Sequence, residues 1–440
     1  MRLFAYGVIC AAASFAADTG SSGVTFYRDV LPVLQNKCQE CHRPGEAAPM
    51  SFLTYESTRP WAKAMKAAVL TKKMPPWFAD PHTGTWANDP TLPDAAKQTL
   101  IAWVDAGAPA GDPKDAPKPI QFTDGWAIPK PDIVFDVPEF EVPASGTIDY
   151  QYVVIPTNFK QDTWVQYAEA RPGDREHVHH IIAFVREPGN PWLKDAKPGV
   201  PFVPAARMRE AAKRPRTPHG EKQRDGDGGS PGFLVGYAPG VPPAMLAPGQ
   251  ARLVQAGSDL VLQMHYTANG KAGKDRSRVG IVIAKEQPKV KVLTLAASNE
   301  QFAIPPGDAN YEVESKVTLQ QEATLISLLP HMHFRGKDFE YRAVYPTGEK
   351  EVLLRVPKYD FSWQLWYTFD KPKVLPAGTT IECTAHYDNS PNNPANPDPK
   401  QEVHFGEQTW EEMMIGFFDV AVNADTTVMD LMRPKQKSGD

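Results

Sequence analysis

The sequence predicts a multidomain protein in which a small all-α domain precedes two all-β sandwiches of the jelly-roll kind. Apolar residues recur at helical spacing up to about residue 110. After residue 122, short segments rich in β-branched and aromatic residues alternate with turn residues. A length of 440 residues with 42% hydrophobic residues provides enough apolar side chains for three cores.

The N-terminus predicts export. Arg2 precedes an apolar stretch, and the small residues around Ser14-Phe15-Ala16 suit signal cleavage, so residues 1–16 are interpreted as a signal peptide. We therefore expect a periplasmic or secreted protein. No later segment is long and apolar enough for an integral membrane segment in the mature chain. A net charge of −5 with mixed signs gives no reason to expect nucleic-acid binding.

Helical segments are predicted within 24–110, where "FYRDVLPVLQNKC", "STRPWAKAMKAAVLTKK" and "LPDAAKQTLIAWVDAGAP" carry the helical spacing. A Pro/Lys-rich linker follows at 111–122. The β-rich remainder divides into sandwiches at 123–290 and 291–440, with a border near 286–300. The charged, Gly-rich stretch 209–229 is interpreted as a solvated insertion.

"CQECH" is a C-x-x-C-H motif formed by Cys38, Cys41 and His42. Two thiols on one helical turn suit two thioether bonds to haem c, and the adjoining histidine suits axial ligation of the iron. The alternatives are a redox dithiol and half of a zinc site. The chain has only four cysteines and no second pair to complete a zinc site, which favours covalent haem.

The sixth haem ligand has four candidates, Met50, Met65, Met74 and His82. The helical segment resembles small class I cytochromes c, in which the axial methionine lies in a loop before the last helix. "KKMPPWF" puts Met74 in such a loop. The resemblance therefore implies Met74 as the axial ligand.

"DREHVHHIIAFV" contains three histidines within four positions, His177, His179 and His180. In a strand, alternation pairs His177 with His179 and directs His180 to the other face, unless the strand ends or bulges there. A lone strand histidine is usually structural. The grouping favours a metal site and leaves open which two of the three histidines contribute.

Other candidate ligands lie in "LVLQMHY", "HMHFRGK" and "TWEEMMIGFF". Alternation puts His331 and His333 on one face of a strand, where they can converge on one ion. His265 and Met413 complete the set. Imidazole with thioether favours copper over zinc, and the absence of a carboxylate-rich cluster argues against calcium and magnesium.

In this order the motifs resemble the type II copper, ascorbate-dependent monooxygenases, the peptidylglycine α-hydroxylating and dopamine β-hydroxylating enzymes, over residues 125–430. That resemblance implies two copper ions, one in each sandwich across a solvent cleft. The implied ligands are His179, His180 and His265 for the first copper, and His331, His333 and Met413 for the second, which activates oxygen. Gln263 matches a residue of the family's intersite region, and His177 stays an alternative ligand.

The resemblance implies a monooxygenase that takes O₂, an organic substrate and two electrons. A fused haem passes electrons singly, so it suits this chemistry, and its own donor would be ascorbate or a periplasmic cytochrome. The alternatives are a haem and copper electron-transfer protein without a substrate, and a copper-storage protein. Storage predicts many Met and Cys clusters, which this chain lacks.

The substrate is expected to be neutral or apolar. The amidating enzymes hold a peptide carboxylate with an Arg before the H-x-H pair and with an Asn and a Tyr after the methionine ligand. The matching positions here are Leu329, Ile415 and Phe417. A carboxylate placed against them would lose charge-assisted hydrogen bonds worth about 1.5–3 kcal/mol each.

Overall fold

The computed structural model describes residues 23–44, 46, 48–122, 125–204, 232–239, 241–406 and 408–432. The predicted signal peptide and the 209–229 insertion lie outside these residues. Strands make up 36% and helices 13% of the structure, which confirms the predicted β character of most of the chain. None of the helices in the described ranges combines the length and the apolar character that crossing a membrane requires.

Helices concentrate in the first hundred residues. Their bounds are α1 Leu31–Lys37, α2 Tyr55–Thr58, α3 Ala62–Leu70 and α4 Asp94–Asp105, with α5 Val428–Met432 near the other end. A π-helical turn, Phe26–Val30, precedes α1, and 3₁₀ turns occur at Arg59–Trp61 and Pro113–Asp115. Fully buried Phe26, Leu34, Leu100 and Trp103 form the centre of this helical core.

Among the described residues, ten strands precede residue 290. They are β1 Ile133–Asp136, β2 Phe140–Val142, β3 Gln151–Pro156, β4 Thr163–Arg171, β5 Val178–Arg186, β6 Gly232–Tyr237, β7 Gln250–Val254, β8 Asp259–Tyr266, β9 Gly273–Asp275 and β10 Arg278–Ile283. The order β3-β8-β5-β6 forms one sheet, and β1-β10-β4-β7 forms half of a larger one. Apolar side chains from both sheets share one core, as alternation of inward and outward residues dictates for a sandwich.

Ten further strands follow. They are β11 Val290–Asn299, β12 Ala303–Ile304, β13 Tyr311–Thr318, β14 Ala323–His331, β15 Gly336–Val344, β16 Lys350–Val356, β17 Tyr367–Leu375, β18 Thr380–Tyr387, β19 Val403–His404 and β20 Met414–Asn423. The sheet β13-β18-β15-β16 covers a second core against β11-β20-β14-β17.

The two sandwiches share one eight-stranded sheet, β1-β10-β4-β7-β11-β20-β14-β17. Strand β11 pairs in parallel with β7 through Val290 opposite Gln250 and Lys291 opposite Ala251. Beside this joint, the buried Arg252 guanidinium on β7 donates to both carboxylate oxygens of Asp419 on β20, each at 3.0 Å. The predicted border near 286–300 therefore coincides with a strand that belongs to both halves of a continuous sheet.

The N-terminal segment contacts both sandwiches. The Ala87 amide donates to the Thr368 carbonyl at 2.9 Å, and Trp86 forms a backbone bridge to Phe369 on the edge strand β17. This contact covers an edge that would otherwise present unpaired backbone groups. The loop carrying Glu46 contacts the first sandwich through Arg175.

Candidate functional site

Three imidazoles converge on the outer face of the β3-β8-β5-β6 sheet. The Nδ1 atom of His180 lies 3.4 Å from Nδ1 of His179 and 3.4 Å from Nδ1 of His265. Ligand atoms of the three residues all lie within 4.8 Å of one another. Two nitrogens bound tetrahedrally to one ion at about 2.0–2.1 Å, the zinc value, stand about 3.3–3.4 Å apart, so this spacing fits a metal ion.

A β-bulge allows adjacent histidines to meet. Along β5 and β8, Val178 pairs with Tyr266 and His180 pairs with His265, so His179 is the extra residue of the bulge. An extra residue breaks simple alternation and bends the strand. The bulge is the exception that the sequence analysis allowed, and it brings the His180 ring to the His179 ring.

His177 lies outside this cluster. Its Nδ1 is 2.6 Å from Asp174 Oδ2, and its Nε2 is 3.1 Å from the Lys271 carbonyl oxygen. Both ring nitrogens therefore have partners elsewhere. Burial lowers the pKa of His177, but its hydrogen bonds to Asp174 and Lys271 outweigh that effect and leave the pKa raised. These contacts make His177 a structural residue rather than a metal ligand.

Burial keeps the clustered imidazoles neutral, which is the protonation state that binds metals. It lowers the pKa of His179, brings that of His265 to about 3, and holds that of His180 well below its ordinary value. The charges of neighbouring histidines lower the pKa of His180 further, and these neighbours include His331 and His333. The two predicted sites are thus within electrostatic range of each other.

His331 and His333 form the second cluster at the end of β14. Their ring centroids are 5.3 Å apart and the rings are perpendicular. Nδ1 of His331 lies 2.9 Å from Gln364 Oε1, and Nδ1 of His333 lies 3.2 Å from the Glu411 carbonyl oxygen. Both acceptors require N–H at Nδ1, so each Nε2 carries a lone pair. Nε2 of His333 is buried without a hydrogen-bond partner in the described chain, an orphan that a metal would satisfy.

Met413 immediately precedes β20. The β14–β20 ladder ends with His331 opposite Ile415, two residues after Met413, so Met413 lies at the end of the ladder that carries the H-x-H pair. Met413 is half-buried, whereas Met414 is fully buried in the second core. This difference in burial leaves the Met413 thioether on the side of the sheet that carries His331.

Glu412 links the segment before β20 to the segment after β14, a role that the sequence motifs did not reveal. Its carboxylate accepts the His333 amide at 2.8 Å and the Arg335 amide at 2.6 Å. Burial of this fully enclosed carboxyl raises its pKa to about 8, although both amide hydrogen bonds oppose the shift. The arrangement fixes Met413 relative to the H-x-H pair.

The loop 357–366, between β16 and β17, lies between the two clusters and carries no recognisable sequence motif. Phe361 stacks on His179 with ring centroids 5.4 Å apart, and its centroid lies 5.9 Å from that of His333. A single phenyl ring therefore touches both clusters, where the family resemblance implies a solvent cleft. In the same loop, Gln364 donates to the Tyr359 hydroxyl at 3.0 Å and to the Phe361 carbonyl at 2.8 Å, which fixes its amide orientation.

The positions that the resemblance matches to a peptide clamp lie on the His331 face of the sheet. Leu329 pairs with Phe417, Ile415 pairs with His331, and all three apolar side chains are half-buried. The Phe417 ring centroid is 6.3 Å from that of His331. The surface beside the second cluster is therefore apolar. Gln263, two residues before His265 on β8, donates its amide to the Tyr152 hydroxyl.

The C-x-x-C-H residues occupy one turn that continues α1. The amides of Cys41 and His42 donate to the Cys38 carbonyl at 3.2 and 2.9 Å. Nδ1 of His42 lies 3.3 Å from the Met50 carbonyl oxygen, so the ring is oriented with Nε2 unprotonated. His42 also stacks on Phe52 at 4.3 Å. Two half-buried thiols and an oriented imidazole on one turn fit covalent haem.

The remaining axial candidates have different surroundings. Met65 is buried in the helical core. Met50 packs against that core, and its carbonyl serves His42. Met74 is half-buried in the loop after α3, and His82 is exposed. Met74 stays the predicted ligand.

Comparisons with known proteins identify no relative by sequence: no family model and no curated protein matches the chain. Among solved structures, infectious bursal disease virus of the Gx strain matches with 8% identity, 71% of this chain, 77% of the viral chain and a TM-score of 0.18. The same virus's VP2 subviral particle gives 8%, 70%, 76% and 0.19. TM-scores this low do not establish a shared fold.

Proposed function

We propose that the protein is an exported dicopper monooxygenase, of the type II copper kind, fused to a c-type cytochrome. The reaction is RH + O₂ + 2e⁻ + 2H⁺ → ROH + H₂O. The observation that carries the proposal is the pair of clusters on either side of Phe361, one of three imidazoles and one of two imidazoles at the end of the ladder that Met413 precedes. Copper suits this donor set because it accepts both imidazole and thioether and exchanges single electrons.

Each site has a distinct role in this proposal. His179, His180 and His265 would hold a copper ion that stores an electron. His331, His333 and Met413 would hold the ion that supplies oxygen activation. Cys38, Cys41 and His42, with Met74 as sixth ligand, would hold haem c, which takes electrons from ascorbate or a periplasmic cytochrome.

The protein's own side chains supply position and environment. Burial keeps the five histidines neutral and available as ligands. The Gln364 amide fixes the tautomer of His331. The half-buried side chains of Leu329, Ile415 and Phe417 offer an apolar surface beside the second site, which suits a neutral or apolar substrate.

Cofactor analysis is the first test. The purified protein should carry one haem that survives denaturing electrophoresis and two copper ions per chain after copper loading. Loss of the haem on denaturation, or preferential retention of zinc, would contradict the assignment. His331→Ala should leave one copper and the haem in place.

Oxygen incorporation is the second test. The reduced, copper-loaded protein is incubated with fractionated metabolite extract under ¹⁸O₂, and products that gain one labelled atom are sought by mass spectrometry. His331→Ala serves as the inactive control. Copper oxidation without labelled organic product in any fraction would favour the alternative, an electron-transfer protein with haem and copper relay centres. A glycine-extended peptide should not be a good substrate.

A further inference from the structure

The loop that follows the C-x-x-C-H motif rests on the first sandwich. Glu46 Oε2 lies 2.9 Å from Arg175 Nη1, and both side chains are mostly buried. Arg43, next to the motif's histidine, also pairs with Glu46 at 3.2 Å. Arg175 belongs to the loop between β4 and β5, immediately before the histidines of the first cluster.

Tyr237 lies beneath this ion pair. The guanidinium carbon of Arg175 is 5.6 Å from the Tyr237 ring centroid. The ring is buried. Burial raises the pKa of Tyr237, and the Arg175 guanidinium opposes that shift through its charge and a hydrogen bond. The aromatic ring therefore lies against the ion pair that the loop after the C-x-x-C-H motif forms with the first sandwich.

From Tyr237 the first cluster is one strand pair away. Tyr237 at the end of β6 pairs with Ile181 on β5. Ile181 is the covalent neighbour of His180. One inter-strand hydrogen-bonded step and one peptide unit thus join the aromatic ring to a metal-ligating residue.

A second contact between the N-terminal segment and the sandwiches, through Trp77, leads toward the His331 and His333 cluster by a longer path. Trp77 lies three residues after Met74, and its ring centroid is 4.7 Å from that of Tyr367. Tyr367 pairs with Leu328 on β14, and His331 lies three positions after Leu328 on the same strand. The covalent part of this path is longer than the single step from Ile181 to His180.

We propose that the Glu46–Arg175–Tyr237 contact is the electron-input contact, which makes the His179, His180 and His265 site the first acceptor of electrons from the haem. This inference rests on the proposed function. With haem and copper bound, one electron would pass from ferrous haem, leaving it ferric, to Cu(II) held by His179, His180 and His265, giving Cu(I). No covalent bond forms or breaks, and no proton is required.

The kinetic test compares the two contacts. Haem is reduced in copper-free protein in a His331→Ala background, one equivalent of Cu(II) is added, and haem oxidation is followed by absorbance. Tyr237→Leu should slow oxidation by about tenfold or more, whereas Trp77→Leu should leave it within about twofold. Tyr237→Phe, which keeps the ring, should retain most of the rate. Slowing by Trp77→Leu alone would overturn the proposal.

Exchanging the two charges of the ion pair gives a second test, which leaves the buried Tyr237 unchanged. Glu46→Lys and Arg175→Glu should each slow haem oxidation, and the double variant should recover it, because opposite charges face each other again. Additive slowing in the double variant would contradict the docking role.

Hydrogen exchange of copper-free protein provides a readout independent of electron transfer. The Phe52 amide, which donates to the His42 carbonyl at 2.9 Å, reports on the motif's loop. Exchange there should quicken in Glu46→Lys and slow again in the double variant. Wild-type protein without haem or copper would refute the proposed function; wild-type transfer that no variant alters would refute only this inference.

Discussion

Gln364→Leu should weaken copper binding at the second site and leave the first site intact. The wild-type amide oxygen accepts the Nδ1 proton of His331 at 2.9 Å, and its nitrogen is held by Tyr359 and the Phe361 carbonyl. Leucine has a similar size but accepts nothing. The His331 N–H would then be half-buried without a partner, and the ring would lose the contact that selects its tautomer.

The magnitude follows from two independent rules. An unsatisfied buried donor costs about 1–3 kcal/mol. Removing a partner that orients a metal ligand typically lowers metal affinity about 10–100-fold. A tenfold change equals about 1.4 kcal/mol, so the two ranges agree. We therefore expect the dissociation constant of the second copper to rise about 10–100-fold.

Copper titration against a competing chelator measures this effect, because it resolves two binding steps per chain. Gln364→Glu, which keeps an acceptor oxygen, should retain most of the affinity. Gln263→Leu is a matched control, since that glutamine contacts the Tyr152 hydroxyl and no second-site ligand. If a folded Gln364→Leu protein binds its second copper as tightly as wild type, the positioning role of Gln364 is wrong.

Three further predictions concern other parts of the molecule. Met413→Ile should abolish oxygenation while one copper remains, whereas Met414→Ile should cost stability with oxygenation retained; the opposite pattern would exchange their roles. Cys38→Ala with Cys41→Ala should remove covalent haem and end turnover with a periplasmic one-electron donor, while ascorbate still reduces copper directly; equal turnover with every donor would show that haem is dispensable. In metal-free protein the cluster histidines have lowered pKa values, so the folded state prefers them neutral. Their contribution is complete above the unfolded pKa of about 6.5 and is lost as pH falls, by up to about 1.4 kcal/mol per pH unit for each histidine; a free energy of unfolding that stays constant between about pH 6.5 and 4 would contradict this.

The spacing of apolar residues was enough to predict structural features that depend only on residues close in sequence. The spacing in "LPDAAKQTLIAWVDAGAP" predicts a helix, and α4 spans Asp94–Asp105. Alternation also predicts different burial for Met413 and Met414. Met414, the first residue of β20, is buried, and Met413 just before it is half-buried. Both results follow from the local geometry of helices and strands.

Features that depend on distant segments were not predictable in the same way. The bulge at His179 exists only in relation to β8, so alternation within β5 left the orientation of His180 open. Gln364 and Phe361 lie in an irregular loop about thirty residues after the H-x-H pair, and no spacing rule links them to it. The burial of Glu412 likewise depends on the chain folding back onto β14.

The shared eight-stranded sheet holds the two halves of the β-rich region together. Separating the two halves would break the β7–β11 hydrogen bonds. It would also leave the buried charges of Arg252 and Asp419 each without its partner. Opening by rigid separation of the two halves is therefore costly. The same joint makes each half a poor fragment: severing the chain there would leave a bare strand edge, prone to self-association, on both products.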